Sequence, residues 1–182
     1  FVDEIVHQSS QGSGTITLGT SGEKITTATG AEFSAVTGHM YPMFSVCSNS
    51  QQVISNGTWT KITLWDTEIH NIGSQFSLSN DRFTPTVAGK YFFYCQIPYE
   101  GTLNGYLALS MNGATLSTDA PDTQMVTIWN NTNMMSIQGI FDMNGSTDYM
   151  ETRTYQGAGS NQNLNYGGNK GYTRWEGYRI GT

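Results

Sequence analysis

Side chains able to do chemistry are few and scattered. The three histidines, His7, His39 and His70, lie on different expected elements, and none has a ligating partner two or four residues on. Zinc chemistry through His and Cys is therefore not expected. Serine is abundant, but no Gly-x-Ser-x-Gly elbow occurs. The glycine-rich run GAGSNQNLNYGGNKG is not followed by a helical pattern, so it reads as a loop and not as a phosphate cradle. Acidic residues fall singly, or as Asp3-Glu4 and Asp119/Asp122, and read as solvated turn carboxylates. Asp119 and Asp122 supply two carboxylates where calcium takes about six to eight oxygens. The expectation is no catalytic residue, no cofactor and no metal site.

What the polar residues suit instead is contact. Three segments mix amides, glycine and aromatic rings: Pro98–Tyr106, Trp129–Met134 and Gln156–Tyr172. Their candidates are Tyr99, Glu100 and Asn104; Asn130, Asn131 and Asn133; and Asn161, Gln162, Asn163, Asn165, Tyr166 and Asn169. Flat rings stack and amides bond hydroxyls, so such loops suit a glycan or a protein on another surface. They read equally as solvated Gly/Asn connections.

The elements that must position these loops are strands. Short apolar and aromatic runs alternate with turn signals from His39 onward, at Met40–Cys47, Thr58–Trp65, Gly89–Ile97, Tyr106–Met111, Gln124–Trp129, Met135–Phe141, Tyr149–Tyr155 and Tyr172–Ile180. Turns are expected at Ser55–Gly57, Leu103–Gly105, Met111–Gly113 and Met143–Ser146. No stretch keeps a 3.6-residue period over three turns, so the domain is all-β, a sandwich or jelly roll. The stretch FTPTVAGKYFFYCQIPY, Phe83–Tyr99, organises it. Large side chains on both parities predict a central strand buried on two faces, with a core on one side and a neighbouring subunit on the other. Tyr91, Phe93, Trp175 and Tyr178 are expected in the core, and Phe92, Tyr94, Trp129 and Phe141 facing a threefold axis.

With 182 residues the chain holds one domain and a short extension. Charged residues make up 12% and the net charge is −6, which argues against a phosphate-binding surface and so against nucleic acid. No run is long enough to span a membrane. The chain opens on Phe1, not Met, so it is expected to begin inside a longer or processed polypeptide. Strand parity places Cys47 opposite Phe44 and Val46, so Cys47 and Cys95 are expected to be free thiols. Residues 1–38 are rich in Gly, Ser and Thr and have almost no large side chains. They read as a β-arm or shaft before a 39–182 head, its apolar Val2, Ile5, Val6, Ile16, Leu18, Ile25 and Phe33 buried against copies of itself or a neighbouring protein, or as a flexible linker.

Trp65, Asn71, Phe76, Phe83, Gly89, Tyr91 and Phe93 stand at the spacing of the signature of the globular head of complement component 1q, a relative of the tumour-necrosis-factor jelly roll. SNGTWTKI, MNG, STDYMETRTY and YTRWEGYRI resemble further parts of that head, so the resemblance covers about Met40 to Ile180. Trp65 stands where the family usually has Phe, Cys95 where it has an aromatic, and no collagen-like run precedes the head. The resemblance implies a tight homotrimer packed through an aromatic-rich sheet. The opening arm and the flavour of SQQVISNGTWTKI and FTPTVAGKYFF resemble bacteriophage fibre proteins. That implies a virion protein whose residues 1–38 contact other virion proteins and whose head meets the host surface. A capsid or tail decoration protein and a secreted extracellular module are the alternatives.

Overall fold

The computed structural model describes residues 40–114, 124–164 and 171–181, with the side chains of 102–103, 124–126 and 128–132 left aside. The arm, His7, His39, Asp119, Asp122, Asn165, Tyr166 and Asn169 lie outside the described residues. So do the side chains of Trp129, Asn130 and Asn131.

The described residues form strands and no helix: β1 Met43–Cys47, β2 Gln52–Ile54, β3 Thr60–Lys61, β4 Thr67–Ile72, β5 Phe76–Ser77, β6 Arg82–Phe83, β7 Gly89–Met111, β8 Gln124–Met143, β9 Met150–Gln156, β10 Gln162–Leu164 and β11 Arg174–Gly181. All pairings are antiparallel. One layer runs β4-β1-β11-β7-β8, using the first part of β7 and the last part of β8. The other sets β3 and β9 beside the second part of β7, with the first part of β8 on its far side. β7 and β8 thus pass from one layer into the other, and the sheet curls into a jelly-roll sandwich.

They cross at irregularities in the ladder. Pro98 faces Met134 and Leu103 faces Thr132, so residues 99–102 stand opposite Asn133 alone. Then Gly105 faces Trp129, which leaves Asn130 and Asn131 opposite Asn104. Two of the expected loops, Pro98–Tyr106 and Trp129–Met134, are therefore bulged stretches of continuous strands. The Leu103–Gly105 signal marks a bulge, not a hairpin, because pairing with β8 resumes beyond it. Asn112 and Gly113, with φ of 57° and 65°, make the expected tight turn. Expected strand Thr58–Trp65 pairs only at Thr60–Lys61. Trp65 instead turns into the core, its Nε1 donating to Thr152 Oγ1 at 3.2 Å.

The core is aromatic. Phe44 stacks on Phe76 and Phe83 and meets Trp175 edge-on, at ring distances of 4.9, 4.8 and 5.0 Å. Gly177 makes room for this: a Cβ there would lie within 2.6 Å of both the Phe93 and Phe44 rings. Cys47 and Cys95 are buried and free, and burial pushes the Cys95 thiol well up.

Along β7, Tyr91, Phe93, Cys95 and Ile97 are buried while Phe92, Tyr94 and Gln96 are half-buried. Within one chain this first part of the strand is therefore fully covered on one face only. Two ring assignments change with the register. Phe141 faces Tyr91 across the ladder, and paired residues share a face, so Phe141 belongs to the core and packs on Phe93. Tyr178 faces Phe92 in the same way and lies on the outer side, ring against ring at 5.4 Å.

Candidate functional site

The end of the sandwich where β7 and β8 cross is held by polar groups on the inner side of β9. Thr154 Oγ1 donates to the Tyr106 carbonyl at 2.9 Å, which uses its only hydrogen. The Tyr99 hydroxyl, 2.6 Å away, must then donate to it. Gln156 Nε2 donates to the carbonyls of Ile54 and Ser160, and its Oε1 accepts from Ala158 N–H. These buried bonds tie β2, β7 and the β9–β10 connection into one rim, since buried polar groups are costly unless paired.

Tyr99 is thereby corrected from a contact residue to a core one. It is buried, and burial drives its hydroxyl pKa well up despite the Thr154 bond. The reason is its pairing with Leu164 of β10, a strand that the expected long loop concealed.

Other candidates do gather at the rim. Asn163 Nδ2 donates to Glu100 Oε2 at 2.7 Å, and Asn161 Oδ1 accepts from Asn56 N–H at 3.4 Å. Gln162 Oε1 sits beside Gly101, and the Asn104 carbonyl accepts from Gly157 N–H at 3.0 Å. Asn133 is exposed at the bulge, and Asn130 and Asn131 occupy it by backbone register. Asn161, Gln162 and Asn163 each bond another group of the chain, so part of their capacity is spent in shaping the rim.

Three rings that the sequence did not single out meet beside this rim. Trp59, Tyr106 and Tyr155 form a triangle with centroid separations of 5.6, 5.7 and 5.5 Å. They lie on the outer side of the second layer and none belongs to the core. Tyr106 and Tyr155 are cross-strand partners, and Trp59 precedes β3 after the Asn56-Gly57 turn. The available signal was parity, since each Tyr adjoins a buried neighbour, Leu107 or Thr154 and Gln156. Further along the same side, Glu151, almost fully buried, accepts Lys61 at 3.1 Å and Arg153 at 2.7 Å.

The outer side of the first layer differs. Register aligns Ile72, Met43, Tyr178, Phe92 and Ile140 in one row across five strands. Ile72 is 50% exposed and Ile140 57%. The adjoining row is His70, Ser45, Glu176, Tyr94 and Gln138, in which Ser45 Oγ donates to Glu176 at 2.9 Å and Arg174 pairs with the same carboxylate. Tyr94 donates to Gln96 Oε1 at 2.6 Å, and burial, helped by Glu176, raises its pKa. Among the described residues no group of three His, Cys, Asp or Glu could hold a metal ion, and no helix is long and apolar enough to cross a membrane.

Neither a protein-family model nor a curated protein sequence matches this chain. Solved structures do. The globular domain of zebrafish complement 1qA is similar over 76% of this chain and 96% of its own, with a TM-score of 0.50 at 18% identity. Murine APRIL at pH 8.0 matches over 76% and 98%, with a TM-score of 0.56 at 14% identity. Eiger, a tumour necrosis factor from S. frugiperda, matches over 76% and 91%, with 0.50 at 11%. At these identities the likeness establishes the fold, the jelly roll of complement 1q and tumour necrosis factor.

Proposed function

We propose that this chain is a non-enzymatic adhesion head that closes into a homotrimer through the outer side of its first layer. In this reading the head sits on a virion appendage, residues 1–38 join it to other virion proteins, and the rim meets a glycan or protein of the host surface. The observation that carries the trimer is the apolar row Ile72–Met43–Tyr178–Phe92–Ile140. Apolar side chains that continue across five strands are unlike the scattered apolar residues of an ordinary surface. A specific interface buries roughly 1,200–2,000 Å², and a sheet face with an apolar centre and a polar flank has the composition of one. Supporting the non-enzymatic reading, no catalytic constellation assembles among the described residues. Supporting adhesion, the rim presents amides on a rigid base, and three copies on one particle turn weak contacts into avid ones.

Sedimentation of the full chain tests it. A trimer is expected at micromolar concentration without any ligand. Phe92→Asp puts a charge in the middle of the row and is expected to give a folded monomer, because Phe92 lies outside the core. A monomeric parent protein, or a Phe92→Asp protein that stays trimeric, defeats the proposal. Host attachment is tested separately: the soluble head should compete with particles for adsorption.

A further inference from the structure

We infer that Trp59, Tyr106 and Tyr155 form a binding plate for a neutral pyranose oligosaccharide. The inference rests on the adhesion reading and gives it a ligand class. Three rings within 5.7 Å of one another, held outside the core, are an unusual use of large side chains, which normally bury their area inside. The two tyrosines are half-buried and fixed by cross-strand pairing, so their rings are rigid when a ligand arrives. Trp59 is held against them from a turn in which Gly57 N–H donates to the Gln156 carbonyl at 2.8 Å. A ligand would find the plate already built.

Each ring also carries a polar tip: Trp59 Nε1 and the hydroxyls of Tyr106 and Tyr155. Among the described residues none of these atoms has a hydrogen-bond partner. The rings are tilted by 39°, 51° and 66° to one another, so they offer a contoured aromatic surface with donors and acceptors at its margin. That combination binds a sugar ring by its C–H face and its hydroxyls. The polar contacts continue into the rim. Gly57 and Gly157 both border the Tyr155 ring, and Gly157 adjoins the Asn104 carbonyl. A sugar on the plate would extend its neighbour toward Asn104, Asn161 and β10.

Charge selects among ligands that stack. The nearest cations, Lys61 and Arg153, both bind Glu151, so neither is uncommitted for a sulfate or carboxylate. Nucleic-acid bases also stack on rings, but they need a basic groove along the backbone. A net charge of −6 and this neutralised neighbourhood do not provide one. A neutral glycan meets no such penalty.

The full chain is titrated with soluble cellotetraose, chitotetraose and mannotetraose by calorimetry. Binding of at least one is expected, one oligosaccharide per chain. Trp59→Ala should weaken it by about tenfold or more, as removing an aromatic anchor does. Tyr155→Phe, which keeps the ring and so the fold, should weaken it by a few-fold through the lost hydroxyl. A heparin tetrasaccharide should not compete. No binding by any of the three up to about 10 mM, a concentration that would reveal even very weak sites, overturns the inference. So does binding that both variants leave unchanged, or a plate that takes an aromatic peptide instead. Each soluble oligosaccharide occupies one chain at a time, so the result does not depend on avidity. Sedimentation of the same samples separates the two readings: a trimer that binds no sugar defeats the plate alone, and a monomer that binds sugar defeats the trimer alone.

Discussion

The two outer sides of the sandwich are built from the same pair of long strands and finish differently. On the first layer, β7 and β8 contribute Phe92, half-buried, and Ile140, exposed, to an apolar row. On the second, β7 contributes Ala108 and Ser110, both fully buried, beneath a network in which Glu151 holds Lys61 and Arg153. The second side answers its buried charge, Glu151, from within the chain. The first leaves apolar area that only another surface can cover. The contrast shows that side-chain alternation sets which residues face outward, while what stands on the neighbouring strands decides whether that outward side is complete.

If this contrast is right, damage to the interior and to the two outer sides should register differently. The largest effect belongs to the shared interior. Phe44→Ala removes a ring packed on Phe76, Phe83 and Trp175 and should cost about 3–5 kcal/mol, the usual loss for a buried aromatic. Much of that loss should appear in a folded monomer such as the Phe92→Asp protein, since the contacts are internal. Denaturant titration measures it, and a loss below about 1 kcal/mol would contradict the packing. The next effect belongs to the second side. Glu151→Gln leaves two cations facing a neutral amide and should cost about 1–3 kcal/mol. Because both cations are about a third exposed, water recovers part of the pairing energy. This loss should not change with protein concentration, whereas stability lost through the first side should, since association stabilises by mass action. A Glu151→Gln loss that grows on dilution would place that residue in an interface and erase the contrast.

Much of the architecture was legible because it rests on local rules. Asn112-Gly113 announces its turn, since both residues must take positive φ. The run from Tyr91 to Ile97 announces a central strand by its aromatic and branched residues. The errors came from residues whose meaning depends on a partner strand. The same Asn-Gly pair at Asn104-Gly105 makes a bulge, because β8 continues past it. Phe141 and Tyr178 sit on the sides that Tyr91 and Phe92 dictate through register, and parity along a single strand cannot reveal that. Tyr99 looked like a loop residue between Pro98 and Glu100, yet β10 pairs with it and seals it in. Trp59, Tyr106 and Tyr155 come from three distant segments, so only the assembled sheet makes them one feature.

The smallest effect tests how well Lys61 of the second side serves its other neighbours, because a buried carboxylate beside it is only partly paired. Asp81 is buried with a φ of 46°, and its Oδ1 has no hydrogen-bond partner. Lys61, the cation nearest it, spends its ammonium on Glu151 and on the Asn80 carbonyl. Burial raises the Asp81 pKa above its ordinary 3.8, and the Lys61 charge and the Trp65 N–H oppose that rise only in part. A carboxyl whose pKa is higher folded than unfolded is held in the fold at a cost when ionised. That cost is present at neutral pH, shrinks as pH falls through the folded value, and is gone below the unfolded one. Asp81→Asn keeps the shape, tolerates the left-handed backbone and removes the charge. It should therefore raise the melting midpoint at pH 7 by a few degrees at most, while below about pH 3.8 its advantage over the parent should vanish. Paired melts at pH 7 and pH 3.5 decide it. An advantage that persists undiminished in acid would mean that ionisation of Asp81 costs the fold nothing.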